Sequence, residues 1–133
     1  MTLVVVPGSY AICRLSADHA PPAWAARGRF CSMTRTPYEL SIVCEADAVP
    51  DEVQAERGWS AVAVQGPLDL NLTGILARLA APLEAAGISI FAVSTYDTDY
   101  ILVRDGDFER AIETLRKAGH TVTNEAAGGA SFR

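Results

Sequence analysis

Basic residues are scarce in this chain, and they do not cluster. The sequence has 11 Lys and Arg residues against 16 Asp and Glu residues, which gives a formal net charge of -5 at pH 7. A protein that binds nucleic acid neutralises phosphates with grouped Lys and Arg side chains. Because the cations here are few and scattered, we expect no nucleic acid partner.

Motifs for catalysis and for metal binding are missing as well. The sequence contains no GxSxG elbow, P-loop, GxGxxG or HExxH pattern, and its three cysteines form no CxxC pair. The two histidines, His19 and His120, have no recognisable catalytic partner. We therefore expect no enzyme activity, no metal site and no cofactor, and we expect Cys13, Cys31 and Cys44 to be buried free thiols.

The apolar run near the N-terminus, Leu3 to Val6, is short. It lacks the basic flank of a signal peptide and the length of a membrane span. We therefore expect a cytoplasmic protein that does not enter a membrane. The chain has 133 residues, of which 50% are hydrophobic, and this is enough for one good core or two small ones.

The clearest periodicity lies in the second half of the chain. Apolar residues recur at helical spacing from Leu72 to Leu83, with Asp69 or Asn71 available as the N-cap and Gly87 as the stop. This pattern predicts the longest helix of the chain. Its internal proline predicts a kink or a break.

Two apolar runs follow this helix between Gly87 and Val103, on either side of the polar stretch from Ser94 to Asp99, and they predict a hairpin with a polar turn. A second helix is predicted after Asp105-Gly106-Asp107, and short strands are predicted over residues 60–65 and 120–123. The resulting order is β-α-β-β-α-β. This is the ferredoxin-like motif, in which two helices cover one face of an antiparallel sheet.

The first half of the chain resembles the second half weakly. A shift of 60 residues places Glu39 on Asp99 and Val43 on Val103. This match favours an internal duplication whose first copy has a shortened first helix. We therefore predict an α+β protein of tandem ferredoxin-like units, with a degenerate unit over 1–58, a complete unit over 59–124 and a flexible tail over 125–133.

Several short motifs of the second half resemble the ACT-domain family. They are Ser89-Ile90, Ser94-Thr95-Tyr96, Thr98-Asp99 and Ile101-Leu102-Val103, preceded by Thr73-Gly74-Ile75 and Ala81-Pro82-Leu83. The likeness is to small bacterial tandem-ACT proteins and to the ACT domains of cytosolic arginine sensors and of aspartate kinases. It covers nearly the whole chain and implies a regulatory fold, often a homodimer, that binds an amino acid at an interface between ACT units.

The resemblance also implies which residues touch the ligand. In the arginine sensors the contacts match Gly74 and Ile75 at the start of the first helix, Ser89 and Ile90 on a strand edge, and Thr95, Tyr96 and Asp99 after it. Those sensors carry a glutamate two residues before the matching Gly-Ile pair, where this chain has Leu72. The resemblance therefore implies an amino acid or a similar small zwitterion, without identifying arginine.

The chemistry of these residues also supports such a site. The free N–H groups in the first turn of a helix favour a carboxylate, and Gly74 would let a ligand approach the backbone. Asp99 would then face an ammonium group. Other interpretations stay open, because Asp97 and Asp99 also suit a turn, Gly74 also suits close helix packing, and Glu39 also suits a solvated strand.

Three classes of function are compatible with these features. The first, which we favour, is a sensor that passes the state of its ligand to an unidentified effector protein. The second is an assembly module that binds no ligand and pairs through its strand edges. The third is an enzyme on a ferredoxin-like scaffold, since fold does not determine function.

Overall fold

The fold begins with one long strand, whereas the apolar runs from Leu3 to Val6 and from Tyr10 to Leu15 predict two strands connected at Pro7-Gly8. In the computed structural model, which describes residues 1–69 and 71–124, strand β1 runs over Thr2–Leu15 without interruption. Gly8 has a φ of +107°, and the strand continues past the Pro7-Gly8 pair that we expected to form a tight connection. The predicted tail over 125–133 lies outside the described residues.

The chain forms two units, which we call the helical unit and the strand unit. The helical unit contains Met1–Pro7 and the described residues from Ser60 on, and the strand unit contains Gly8–Trp59. The predicted division, between 58 and 59, left the first seven residues with the first half of the chain. In the structure these residues belong instead with the second half.

The helical unit has the predicted α+β composition. After the first part of β1, its elements are the last part of β4 (Gln54–Val64), α1 (Ile75–Ala85), β5 (Phe91–Ser94), β6 (Asp99–Arg104), α2 (Phe108–Lys117) and β7 (Thr121–Asn124). The strand order is β7-β1-β4-β6-β5. β5 and β6 are antiparallel, as predicted, whereas β1 and β7 are parallel. The N-terminal strand therefore adds a fifth strand to the four that the sequence pattern predicts.

Both helices pack on one face of this sheet. The core contains Leu3, Val62, Val64, Ile101, Val103 and Val122 from the strands and Ile75, Leu79, Leu83, Ala111 and Leu115 from the helices. Residues two apart on a strand share a face, so Val62 and Val64 contribute to the same layer. Each fully buried leucine stabilises the fold by about 1.5 to 3 kcal/mol.

Helix α1 begins later than predicted. Its N-cap is Gly74 in the left-handed conformation, with φ of +78°, and the predicted caps Asp69 and Asn71 lie before it. The helix continues across Pro82 to Ala85. The apolar residues of the predicted helical face therefore differ in burial. Leu79 and Leu83 are buried, whereas Leu72 and Leu76 are exposed.

The strand unit, all of whose residues are described, has no α-helix. It contains the second part of β1, a 3-10 turn at Ala23–Ala25, β2 (Ser32–Arg35), β3 (Leu40–Glu45), a 3-10 turn at Ala46–Ala48 and the first part of β4. β4 already begins at Gln54, within the polar stretch from Ala46 to Gly58 whose composition predicts a connector. The predicted burial of the cysteines is right for Cys13 and Cys44, whereas Cys31 is exposed.

The two units contain matching hairpins. β2 and β3 pair with Arg35 opposite Leu40, and β5 and β6 pair with Ser94 opposite Asp99. The hairpins therefore correspond at a shift of 59 residues, not the 60 that the sequence comparison used. Asp99 corresponds to Leu40, and the predicted equivalence of Glu39 and Asp99 is corrected.

No helix within residues 1–69 and 71–124 combines the length and the apolar character needed to cross a membrane.

Candidate functional site

A cleft of about 310 Å³ lies in the helical unit where three segments meet. These segments are the loop after β4, the start of α1, and the β5–β6 turn. The lining residues are Leu68, Asp69, Leu72, Gly74, Ile75, Leu76, Ser94, Thr95, Tyr96, Asp97, Thr98 and Asp99. A volume of this size suits a small molecule.

The β5–β6 turn is held by its own threonines. The Thr95 N–H donates to the Thr98 carbonyl oxygen at 2.8 Å, and the Thr95 hydroxyl donates to the same oxygen at 3.0 Å. The Thr98 N–H in turn donates to the Thr95 hydroxyl at 3.2 Å. These bonds use local backbone groups, as Ser and Thr turns typically do, and they give the turn a defined shape.

Two further bonds connect this turn to the loop and strand below it. The Thr98 hydroxyl is buried and donates to the Val64 carbonyl oxygen at 2.5 Å. The Leu68 N–H donates to the Asp97 carbonyl oxygen at 2.7 Å. The turn and the loop after β4 therefore form one connected wall of the cleft.

Asp99 is the first residue of β6, and its carboxylate is held from across the strand pair. The Ser94 hydroxyl donates to Asp99 Oδ1 at 2.6 Å, and Ser94 is also the backbone partner of Asp99 in the antiparallel register. A short hydrogen bond to a carboxylate restricts its orientation. Asp99 itself lines the cleft.

The start of α1 forms the opposite wall. Gly74 has no side chain that could cap the helix, and its carbonyl oxygen accepts the first helical hydrogen bond, from the Arg78 N–H at 3.0 Å. The N–H groups of Ile75 and Leu76 precede that bond and have no partner within the helix. Nothing lies within 4 Å of the position that a Cβ on Gly74 would occupy. The backbone is therefore open to a ligand here.

The structure brings five of the seven predicted site residues together and separates the other two. Gly74, Ile75, Thr95, Tyr96 and Asp99 line the cleft. Ser89 and Ile90 instead line a hollow of about 480 Å³, with Ala80, Glu84, Gly87 and Ile88. This hollow lies beside the last part of α1, whereas the cleft lies at its first turn. Within a single copy of the chain, Ser89 and Ile90 therefore lie outside the cleft.

Sequence reasoning missed several lining residues. Leu68, Asp69 and Ser94 were not proposed, and Leu76 was assigned to the buried helix face. The dipeptide Gly66-Pro67, which ends β4, indicated that a loop begins there, but no pattern in the sequence showed where that loop packs. One signal for Ser94 was available in the sequence. Four residues separate Ser94 from Asp99, and a hairpin turn of that length places the two residues opposite each other in the strand pair.

Tyr100 follows Asp99 on β6 and has a perturbed acidity. Its partial burial, and to a smaller extent the negative charge of Asp97, raise the pKa of its phenol. Both effects disfavour the phenolate. Tyr100 therefore remains neutral at physiological pH, and this end of the hairpin gains no further charge.

The charged side chains among the described lining residues are the carboxylates of Asp69, Asp97 and Asp99, and none of these residues is a Lys, Arg or His. Within the described residues, no group of three or more His, Cys, Asp and Glu side chains is arranged to hold a metal ion. The described cleft can thus offer carboxylates, hydroxyls, backbone N–H groups and apolar surface. This combination suits binding of a small zwitterion.

Family comparisons agree with this architecture. Residues 54–117 match the ACT domain family, and a second family model, described as an N-terminal domain, matches residues 8–52. Subunit 1 of the cytosolic arginine sensor for mTORC1 from Bos taurus is 31% identical over 102 residues. The match covers 68% of this chain but only 31% of the bovine protein.

Solved structures of other proteins share the fold of this chain. Protein Atu0741 from Agrobacterium tumefaciens is 48% identical with a TM-score of 0.88, and the match covers 93% of this chain and 92% of that protein. Aspartate kinase from Clostridium acetobutylicum has a TM-score of 0.62 at 16% identity, over 87% of this chain and 34% of the kinase, which shows a shared fold alone. The chain is thus an ACT-domain protein, of the same family as Atu0741, and residues 54–117 are its ACT domain.

Proposed function

We propose that this chain is a non-catalytic regulatory protein of the cytoplasm that binds an amino acid, or a similar small zwitterion, at an interface between ACT units. One observation carries the proposal. The uncapped first turn of α1 and the carboxylate of Asp99 line the same cleft of about 310 Å³.

The two walls of the cleft match the two ends of an amino acid. The N–H groups of Ile75 and Leu76, with the helix dipole behind them, suit the α-carboxylate. Asp99, which Ser94 orients, suits the α-ammonium through a charge-assisted hydrogen bond. Gly74 permits close approach to the backbone between these two contacts.

The relatives support a sensing role. The bovine protein with 31% identity is named as a cytosolic arginine sensor, and a regulatory function in the same compartment follows for this chain by analogy. The match covers only 31% of that protein, so the proposal takes from it a sensing role and no particular partner. We propose that an unidentified effector protein responds to the liganded state of this chain.

The separation of Ser89 and Ile90 from the cleft supports an interface site. These residues line a hollow of their own and would contact the ligand only from a second copy of the chain. We therefore propose a homodimer in which each ligand lies between the cleft of one copy and the Ser89-Ile90 segment of the other.

We further propose that the first half is a degenerate ACT unit in tandem with the second. Its β2–β3 turn repeats the bonds of the β5–β6 turn, because the Thr36 N–H donates to the Glu39 carbonyl oxygen at 2.9 Å and the Glu39 N–H donates to the Thr36 hydroxyl at 3.2 Å. The 3-10 turn at Ala23–Ala25 stands where the helical unit has α1 in its element order. At the shift of 59 residues the 3-10 turn at Ala46–Ala48 falls on the 3-10 turn at Asp105–Asp107, and the strand unit has no α-helix after it. The proposed divisions at 1–58 and 59–124 follow the sequence repeat, whereas Met1–Pro7 lie in the helical unit.

Regulation would follow from unequal binding. A ligand shifts the equilibrium between two arrangements of the dimer only if it binds them with different affinities, and the effector protein would distinguish those arrangements. Neither arrangement requires a chemical step.

A thermal-shift screen of the twenty amino acids tests the proposal. Ligand at about 100 times its Kd stabilises the folded protein by about 2.7 kcal/mol, and this raises the melting temperature by several degrees. We expect at least one amino acid to give such a shift. If none does at millimolar concentration, the sensor proposal is wrong.

A second candidate is an assembly module that binds no ligand. β5 is the last strand in the order β7-β1-β4-β6-β5, so one of its edges faces away from β6. Exposed edges pair readily with strands of other chains. Concentration-dependent dimerisation without any amino acid shift would favour this candidate over the sensor.

A further inference from the structure

We infer that the ligand is an amino acid with an apolar side chain, such as leucine, methionine or phenylalanine. This inference rests on the proposed function and specifies the ligand class of the same cleft. It depends on three exposed apolar residues that line the cleft opening, Leu72, Leu76 and Tyr96, which we call the apolar rim.

The apolar rim is unusually exposed for residues of this kind. Leu72 is 52% exposed, Leu76 is 38% exposed and Tyr96 is 80% exposed. Among the described residues only one other large hydrophobic side chain is exposed, Tyr38 at 81%. Three of the four therefore border one cleft. Grouped apolar exposure of this kind marks a surface that a ligand or partner covers.

The three residues come from separate parts of the helical unit. Leu72 precedes α1, Leu76 lies in the first turn of α1, and Tyr96 lies in the β5–β6 turn. None belongs to the hydrophobic core of the unit, in contrast to Ile75 between them. Their position around the cleft is therefore not explained by packing within this unit.

The carboxylates of the cleft do not require a cationic side chain. Asp69 Oδ1 accepts the Asn71 N–H at 2.8 Å, so that Asp69 shapes the loop before α1. Asp97 and Asp99 lie two residues apart at the end of the β5–β6 turn. Together they suit one ammonium, which every amino acid carries on its α-carbon.

With the α-carboxylate at the helix and the α-ammonium at Asp99, the lining surface that remains for a side chain includes the three residues of the apolar rim. An aliphatic or aromatic side chain would cover Leu72, Leu76 and the ring of Tyr96. An acidic side chain would be repelled by the carboxylates. A long cationic side chain would leave the apolar rim in contact with water or would lose hydration itself.

Calorimetric titration of the wild-type protein with leucine, methionine, alanine, arginine and glutamate tests the inference. We expect leucine or methionine to bind at least about tenfold more tightly than alanine, because a hydrophobic pocket distinguishes side chains by their methylene groups. We expect arginine and glutamate to bind more weakly than leucine. Arginine as the tightest ligand, or equal affinities for alanine and leucine, would overturn the inference but leave the proposed function intact.

Substitutions in the apolar rim localise the effect. Leu72→Ser and Leu76→Ser should each weaken leucine binding about tenfold while changing alanine binding little. Tyr96→Ala should act in the same direction, and Tyr38→Ala is its matched control, because Tyr38 is equally exposed in the corresponding turn of the strand unit. Unchanged leucine affinity in all three rim variants would overturn the inference. Absence of binding by every amino acid would overturn the proposed function and this inference together.

Discussion

Ser94 and Asp99 are joined twice, by the antiparallel register of β5 and β6 and by a hydrogen bond of 2.6 Å from the serine hydroxyl to Asp99 Oδ1. The strand pairing places the two side chains next to each other at the end of the hairpin. The hydrogen bond then sets the direction of the carboxylate before any ligand arrives. A polar turn thereby becomes a preorganised acceptor for a cation.

Ser94→Ala should weaken amino acid binding by about three- to tenfold, which corresponds to one lost hydrogen bond. The exposed position of Ser94 predicts little change in the free energy of unfolding. Ser16→Ala is the control, since Ser16 also donates to an aspartate, Asp18, at 3.0 Å but lies in the strand unit. Equal ligand affinities of the two variants, measured by calorimetry, would contradict a positioning role for Ser94.

Gly74→Ala should reduce the free energy of unfolding by about 1 kcal/mol, because an L-residue at φ of +78° is strained. The space around Gly74 is open, so a steric clash makes no contribution. Gly106→Ala is the control, because Gly106 is also in open space but has no left-handed φ. Urea unfolding of both variants measures the difference. If Gly74→Ala is as stable as Gly106→Ala, the assigned start of α1 is incorrect.

Leu79 and Leu76 lie three residues apart on α1 and should respond differently to truncation. Leu79→Ala removes a side chain from the core and should destabilise the protein by about 2 to 5 kcal/mol. Leu76→Ala alters an exposed position and should change stability by less than about 0.5 kcal/mol. Chemical denaturation checks both values, and a large loss in Leu76→Ala would show that Leu76 belongs to the core.

Tyr100 should make stability depend on alkaline pH. Burial raises its pKa in the folded state, so its contribution is fully present below the unfolded pKa of about 10 and is lost as the pH rises through the folded pKa. The free energy of unfolding of wild type should therefore fall more steeply between about pH 9 and pH 11 than that of Tyr100→Phe. Identical slopes for the two proteins would mean that the phenol titrates normally.

Asp97→Asn should reduce this alkaline loss partly, because the charge of Asp97 is the smaller cause of the raised pKa. The dominant cause, burial, remains in that variant. The free energy of unfolding of Asp97→Asn and of wild type, measured over the same alkaline pH range, checks this prediction. An equal dependence on pH in the two proteins would exclude a contribution from Asp97.

Local sequence patterns predicted most elements of the helical unit, because each depends on neighbouring residues. The helical spacing of Leu79 and Leu83 and the stop at Gly87 belong to this class. The same spacing also included Leu72 and Leu76, which line a cleft instead of the core. Periodicity identifies an apolar face but does not distinguish packing against the core from exposure to a ligand.

Features that depend on distant residues were predicted less well. β1 remains one strand because Thr2–Val5 pairs with β7 and Tyr10–Leu15 pairs with β3, and both partners lie far along the chain. The correspondence between the two hairpins required the observed register, which corrected the shift from 60 to 59 residues. For the same reason, neither the separation of Ser89 and Ile90 from the cleft nor the approach of Leu68 to the turn was visible in the sequence.

Titration of Asp99→Asn tests the central claim most directly. The substitution keeps the size of the side chain and removes the charge that would face the α-ammonium, and Asp51→Asn is a charge-matched control at an exposed turn. With the amino acid that stabilises wild type best, we expect no measurable binding to Asp99→Asn, unchanged affinity for Asp51→Asn and an unchanged unfolding midpoint for both unliganded proteins. Wild-type affinity in a folded Asp99→Asn variant would contradict the claim that Asp99 binds the α-ammonium of the ligand.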